Sequence, residues 1–470
     1  MELDVLNDQQ QTEAGSYFVA NYPPFSVWSP EHVPAVRKML ATPVQAGEAD
    51  ADTDHCSRAV AHEGAEGEHC SRAAAHVAPK LGLYLHIPFC RKRCKFCYFR
   101  VYTDRNARDI DAYMEALANE IGMYARQPRF AGRQFEFVYF GGGTPSYLSA
   151  DQLRRLIERI NRHWSWDAAR EVTFECEPGT LQEHKLHAIK SIGVTRLSLG
   201  IEHFDDEILE INGRAHKSAE VFRAYDWARD AGFAQVNVDL IAGMVGEADA
   251  KWADTVDKAL ALAPDSLTIY QMELPHNTRI VRESRDEGAP PPVADWATKR
   301  RWVDEAFAKF QQAGYVVSSA YTVVKPGPHA GFVYRDALWH GADMVGTGVA
   351  SFAQVGGIHF QNLDQWDDYL GAIAADELPI ARALPTTPHQ RLIRELILQL
   401  KLGAIAPGYF AEKFGVDVRQ EFADAWRSLA RDGMAEVSGE TVRLTRAGLL
   451  RVDGLLPRFF EPEHRNIRYT

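Results

Sequence analysis

From about residue 81 the chain alternates short apolar runs with amphipathic stretches. The runs at 81–87, 135–140, 171–176, 195–200, 234–241 and 266–273 read as strands. After the first of them, Ile110, Tyr113, Met114, Leu117, Ile121 and Tyr124 recur at helical spacing and mark one apolar face. Six strand–helix units in succession predict an α/β fold, a parallel sheet with helices outside it. The count suits a partial (β/α)6 barrel, in which function gathers at the C-terminal ends of the strands.

The periodicity also sets boundaries. Residues 1–50 are an aromatic, Pro-containing arm around Tyr17-Phe-Val-Ala-Asn-Tyr-Pro-Pro-Phe-Ser-Val-Trp28. It has no helical or strand period and predicts extended packing on the domain surface. Residues 51–79 contain a duplication: His55-Cys-Ser-Arg-Ala-Val-Ala-His62 returns as His69-Cys-Ser-Arg-Ala-Ala-Ala-His76. Its Ala, Gly and charge content reads as a linker more readily than as a metal clip, so Cys56 and Cys70 are not candidate ligands. Residues 80–325 form the core domain and 326–383 a segment flanking its site. Residues 384–470 form a mostly helical module. In that module a helix at 389–402, an apolar face of Phe422, Trp426 and Leu429, and a hairpin around Ser438-Gly439 predict a winged-helix-like unit. Residues 388–450 carry nine Lys/Arg against eight Asp/Glu, far from the basic face that DNA binding requires.

Composition narrows the class. The 470 residues are 46% hydrophobic and 25% charged, as in a globular protein, and the net charge of −12 gives no pull toward nucleic acid or anionic lipid. No apolar run approaches the ~20 residues of a membrane span. The acidic start, Met-Glu-Leu-Asp-Val, lacks a signal-peptide pattern, and reduced thiols in metal-type spacing fit the cytoplasm.

Half of the six cysteines lie in Cys90-Arg-Lys-Arg-Cys94-Lys-Phe-Cys97. An odd number of thiols in so short a loop disfavours disulfides and points to thiolate ligation. An iron–sulfur cluster suits three soft thiolates; zinc is the rival but usually takes four protein ligands. His86 is near enough in sequence to be a fourth, although it sits in the strand that runs into the loop. Tyr84-Leu-His-Ile-Pro-Phe-Cys90, followed by the spacing to Cys94 and Cys97, resembles the cluster loop of radical S-adenosylmethionine (SAM) enzymes. Its flanks resemble the oxygen-independent coproporphyrinogen III dehydrogenase family, which includes haem chaperones and C-methyltransferases.

The resemblance implies that Cys90, Cys94 and Cys97 hold three irons of a [4Fe–4S] cluster, leaving the fourth open to SAM. It implies that Tyr84, Gly141, Gly142, Gly143, Thr144, Glu175, Glu202, Arg214, Asp239 and Gly243 position the cofactor. Glycines after the second strand permit close approach, and their N–H groups can bind a carboxylate. Two departures stand out: Glu202 replaces the family's usual Gln, and Met244-Val245 replaces Leu-Pro after Gly243. Asp343-Met-Val-Gly-Thr-Gly-Val-Ala350 is similar to a Gly-x-Gly segment beside the family's active site.

The implied chemistry is reductive cleavage of SAM to a 5′-deoxyadenosyl radical, with oxidative decarboxylation of coproporphyrinogen III or a related tetrapyrrole as the first expectation. Phe99 stands where the dehydrogenases often have a fourth cysteine. The alternatives are a C-methyltransferase or cyclopropane-forming enzyme, and a haem chaperone without turnover. An external donor such as flavodoxin or ferredoxin would supply electrons. Arg91, Lys92, Arg93, Lys95, Arg100, Arg105 and Arg108 around the cysteine loop are a solvated face, or else a docking site for an acidic donor or a polycarboxylate substrate.

Overall fold

The computed structural model describes residues 19–44, 79–438 and 441–465. Twelve strands share one sheet. Its middle is six parallel strands in chain order: β1 (Leu81–Ile87), β2 (Phe137–Gly142), β3 (Glu171–Cys176), β4 (Arg196–Glu202), β5 (Gln235–Ala242) and β6 (Ser266–Gln271). Each begins and ends within two residues of an apolar run read from the sequence. Their near-continuous apolarity follows from burial on both faces, as parallel sheets require. The helix Ala107–Ala125 packs toward β9 and the end of β1, burying in the main core the face that carries Ile110, Tyr113, Leu117 and Ile121. Asn106 caps its start by accepting from Arg108 and Asp109 N–H, satisfying donors that the first turn leaves free.

The sheet runs further than the six-unit pattern indicates. β7 (Val316–Val317) and β8 (Thr322–Val324) add antiparallel strands beyond β6. On the opposite side β9 (Asp343–Thr347) pairs in parallel with β1, and β10 (Phe352–Val355), β11 (Ile358–Asn362) and β12 (Ile380–Pro385) continue as an antiparallel meander. The flanking segment therefore extends the core sheet instead of lying beside it. β9 and β10 are only five and four residues long, too short to display a two-residue period. The helix Val333–Trp339 is tied to the barrel through Tyr334, whose ring centroid lies 4.4 Å from that of Tyr139 on β2.

The C-terminal module has its own core, built from Leu396, Ile397, Phe410, Trp426, Leu429 and Val442 among others. Helices Pro388–Leu400, Pro407–Phe414 and Ala423–Arg431 pack on a small sheet of β13 (Ala404–Ile405), β14 (Ala435–Ser438) and β15 (Thr441–Leu444), ordered β13-β15-β14. This is the expected winged-helix arrangement; Gly439 of its hairpin turn lies outside the described residues. No helix among the described residues is long and apolar enough to cross a membrane.

The arm differs from the expectation. It is not simply extended: Val33–Leu40 is a helix, with Val36 and Leu40 buried. Trp28 stacks on His359 of β11 at 5.3 Å and 8°, and Ser29 exchanges backbone hydrogen bonds with Ala383 of β12. Tyr22 is fully buried in the C-terminal core, donates to Glu461 at 3.0 Å and lies 3.0 Å from His464 Nδ1. The arm is a strap joining the meander to the C-terminal module. The Cys56 and Cys70 repeat lies outside the described residues. Trp28→Ala is expected to lower unfolding free energy by about 3–5 kcal/mol, the range for emptying a buried aromatic site. Urea denaturation checks this; a loss below about 1 kcal/mol would mean the strap docks without stabilising the sheet.

Candidate functional site

β1 ends at Ile87, and Pro88 and Phe89 lead straight into the cysteine loop. A short parallel bridge between Phe89 and Tyr102 closes that loop: Cys90 N–H donates to Tyr102 O and Tyr102 N–H to Pro88 O. Cys90, Cys94 and Cys97 are free and partly buried. Cys90 Sγ lies 3.4 Å from Thr144 Oγ1, and Arg214 Nη1 donates to Cys94 Sγ at 3.4 Å. Burial pushes the thiols up, Cys90 to about 11 and Cys97 to about 12, so metal must displace their protons on binding. Among the described residues no group of three or more His, Cys, Asp or Glu converges to hold a metal ion. His86 is spent elsewhere: it is buried in β1, its Nδ1 lies 3.4 Å from Tyr84 Oη, and burial lowers it to about 4. Three thiols without a fourth ligand suit a cluster that keeps one iron open better than they suit structural zinc. Arg214 Nε is buried with no hydrogen-bond partner, leaving a cationic donor beside the thiols for an anionic group.

The three glycines serve the loop by their lack of side chains. A Cβ on Gly143 would come within 2.9 Å of the backbone of Ile87, Pro88 and Phe89, and one on Gly142 within 2.5 Å of the His86 ring. Two of their amides are already engaged: Gly143 N–H donates to Ile87 O at 2.9 Å and Gly142 N–H to Glu175 Oε2 at 3.3 Å. Bare backbone thus lets β2 seat the start of the cysteine loop.

Strand alternation turns a polar column inward. Tyr84 and Tyr139 stack at 5.9 Å, and Tyr139 donates to Glu175 Oε1 at 2.7 Å. Ser198 donates to Asp239 Oδ2 at 2.7 Å and Asn237 Nδ2 to Oδ1 at 2.9 Å. Glu202, at the end of β4, adopts φ +65° and lies 3.5 Å from Arg214 Nη1. Arg214 Nη2 also donates to Gly200 O at 2.5 Å. Burial raises Glu175 and Glu202 to about 7, and the neighbouring Asp239 adds to both shifts. Burial likewise raises Asp239, although Ser198, Arg196 and Asn237 offset part of it. The mouth therefore gathers three carboxyl groups from β3, β4 and β5 and one guanidinium from the segment after β4, a set able to hold a zwitterion and polar hydroxyls.

Gly243 closes the set, with φ +96° and the buried Lys299 side chain 2.5 Å from where a Cβ would lie. The basic residues do not form a uniform free face. Arg91 donates to Gly179 O and Ala215 O, Arg93 to Cys97 O, Lys95 pairs with Glu283, Arg100 with Asp364, and Arg105 lies over Trp366. The Gly-x-Gly segment at the end of β9 is fixed beside β1: buried Glu120 accepts from Gly348 N–H, and Tyr113 Oη accepts from Val349 N–H while donating to His86 O.

A parallel six-strand barrel with a three-thiol loop after its first strand and a carboxylate-lined mouth defines a class. The family model described as the radical SAM superfamily matches residues 84–259, and that of the HemN C-terminal domain matches residues 386–451. Residues 84–259 thus carry a radical SAM domain and residues 386–451 a HemN C-terminal domain, and the chain is similar both to oxygen-independent coproporphyrinogen III oxidases and to HemW haem chaperones. Its cofactors are accordingly a [4Fe–4S] cluster and SAM. It is 27% identical to the oxygen-independent coproporphyrinogen III oxidase of Escherichia coli over 79% of this chain and 83% of that one. It is 28% identical to the heme chaperone HemW of Bacillus subtilis over 78% of this chain and 96% of that one. The solved structure of the coproporphyrinogen III oxidase HemN from Escherichia coli superposes with a TM-score of 0.76 at 22% identity, covering 96% of this chain and 99% of that one.

Sequence reasoning missed Tyr139, Tyr270 and Tyr334, whose rings approach Glu175 from β2, β6 and the helix Val333–Trp339. It also missed the buried His203 and Asn212 behind the mouth. Only the strand phase of Tyr139 and Tyr270 was available as a signal. Glu202→Gln supplies a pH test. A carboxyl held near 7 when folded and near 4.5 when unfolded binds more protons in the native state across that window. Wild-type stability should therefore fall as pH rises from about 4.5 to about 7, and the Gln variant should lose less, keeping the part of the loss that Glu175 contributes. The variant's advantage, set to zero at pH 4, should grow toward a value on the order of 3 kcal/mol at pH 8. Thermal melts of metal-free protein across that range check it; parallel curves would remove the buried carboxyl from the account.

Proposed function

We propose that Cys90, Cys94 and Cys97 hold the cluster, and that the chain acts on coproporphyrinogen III or a related tetrapyrrole by oxidative decarboxylation. The observation that carries the substrate reading is the likeness to the oxidase fold over nearly the whole chain, barrel and C-terminal module together. When bound, the cluster and SAM supply a carbon radical that takes hydrogen from the substrate. The protein's own residues bind, orient and shield. Arg214 beside Cys94 offsets thiolate charge and stands ready for the cofactor's carboxylate. Tyr84 and the glycine run shape the wall next to the loop. Glu175, Glu202 and Asp239 offer acceptors for the ammonium and ribose hydroxyls, with Thr144 and Gly243 completing the rim. An external flavodoxin or ferredoxin in the cytoplasm would deliver the electron.

A second reading, haem chaperoning, draws on the similarity to HemW across almost all of that chaperone's length. One experiment separates the two. Anaerobic reconstitution should load about four irons, and alanine at Cys90, Cys94 and Cys97 together should abolish them, whereas alanine at Cys56 and Cys70 should not. With SAM, a one-electron reductant, an electron acceptor for the substrate radical and coproporphyrinogen III, the loaded protein should release carbon dioxide and form 5′-deoxyadenosine. Deoxyadenosine without change in the tetrapyrrole would overturn the substrate reading. Tight haem binding with neither product would favour the chaperone. Asp239→Ala should weaken SAM binding roughly ten- to a hundredfold while iron content stays near normal.

A further inference from the structure

The loop after β5 departs from the family pattern at Met244-Val245, and its three successive amides are all claimed by side chains. Gly243 N–H and Met244 N–H donate to Glu247 Oε2 at 2.5 and 3.0 Å. Val245 N–H donates to Asn212 Oδ1 at 3.1 Å, a bond that a proline at 245 would forbid. Glu247 has no exposed side-chain surface, and its Oε1 lies 3.0 Å from His203 Nε2, which is equally buried. Asp205 N–H donates to His203 Nδ1 at 2.9 Å, and Thr255 Oγ1 lies 3.2 Å from both ring nitrogens, so the ring is fixed in place against Glu247. The residue following Glu202, another position of departure, thus braces the carboxylate that holds the departing loop.

Asn212 does more than accept one bond. It is fully buried, and its Nδ2 donates to Val245 O at 2.9 Å and to Ile208 O at 2.8 Å. Its amide therefore pairs with both backbone groups of Val245, in the manner of a strand neighbour. Its own carbonyl accepts from Lys95 N–H at 2.9 Å, between Cys94 and Cys97. The next residue, Gly213, has φ +79° and lies so close to the cysteine loop that a Cβ would sit 3.3 Å from Lys95 N. The residue after that is Arg214, on Cys94. One buried residue thus touches the thiol loop through its backbone and the β5 loop through its side chain.

We propose that Asn212 is a positioning residue that sets the cysteine loop and the Gly243–Val245 loop in register, so that order in one is transmitted to the other. The functional consequence rests on the reading that the first loop holds the cluster and the second flanks SAM. By linkage, whatever steadies the β5 loop must then steady the thiol loop, and the reverse.

The test uses the full chain with Asn212→Asp, which keeps the acceptor for Val245 N–H but loses both donors, and Asn212→Leu, which loses all three bonds. Hydrogen exchange of the metal-free proteins reads Lys95 and Val245 amides directly. Both amides should exchange about tenfold faster or more in each variant, while β2 and β3 amides keep their protection. Glu247→Gln should speed exchange at Lys95 as well, although it touches nothing in the thiol loop. Unchanged Lys95 exchange in Asn212→Asp and Glu247→Gln would overturn the proposal. So would faster exchange of equal size throughout the barrel in both, because that would make Asn212 a general core residue. After anaerobic reconstitution, Asn212→Asp should bind SAM about tenfold more weakly with iron content near that of wild type. If wild type itself takes up no iron through the three cysteines, the functional reading fails, and the exchange experiment still decides the coupling.

Discussion

Placement of the thiol loop depends on β1 being held on both edges. β1 pairs in parallel with β2 from Gly82↔Phe137 to Ile87↔Gly142 and with β9 from Leu81↔Asp343 to Leu85↔Thr347. A parallel strand with two partners spends its backbone hydrogen bonds along its length and cannot slip by one residue without turning its side chains to the opposite face. Tyr113 then pins the end of the strand by donating to His86 O. The cysteine loop accordingly starts from a fixed point and a fixed direction, and the bare backbone of Gly142-Gly143 sets how near β2 comes to it. The meander of β10–β12 follows from the same constraint, since it continues the sheet beyond β9.

The second constraint is electrostatic. Glu175, Glu202 and Asp239 share a desolvated mouth, with the Arg214 guanidinium beside them. Three adjacent ionised carboxylates in so dry a space would repel one another, which is why burial and Asp239 together hold Glu175 and Glu202 near neutrality. A bound group carrying an ammonium or hydroxyl donors relieves that repulsion. Such a mouth is poorly satisfied alone and better satisfied with a polar cofactor, as expected of binding sites that give up some stability for function.

The barrel was legible because each parallel strand is a continuous apolar run and each helix carries a clear 3.6-residue period. The thiol loop was legible because its ligands are local in sequence, within eight residues. What remained hidden has long separation. Tyr334 meets Tyr139, and Asn212 meets Lys95 and Val245, across scores of residues with no local pattern to announce them. The meander was missed because β9 and β10 are too short to show a strand period. The arm was misread because its apolar residues are spaced to fit separate pockets on β11, β12 and the C-terminal core instead of one regular face.

The strap has a consequence for how the chain acquires its shape. Tyr22 is made well before its partners Glu461 and His464, which lie more than four hundred positions later. Trp28 and Ser29 wait likewise for β11 and β12. The β1–β6 barrel can close while the chain is still being synthesised, since its contacts run from strand to next strand. The strap cannot seat until Glu461 and His464 have been made. A nascent chain therefore carries the aromatic cluster of Tyr22, Phe25 and Trp28 unburied while the more than four hundred residues up to its last partners are added.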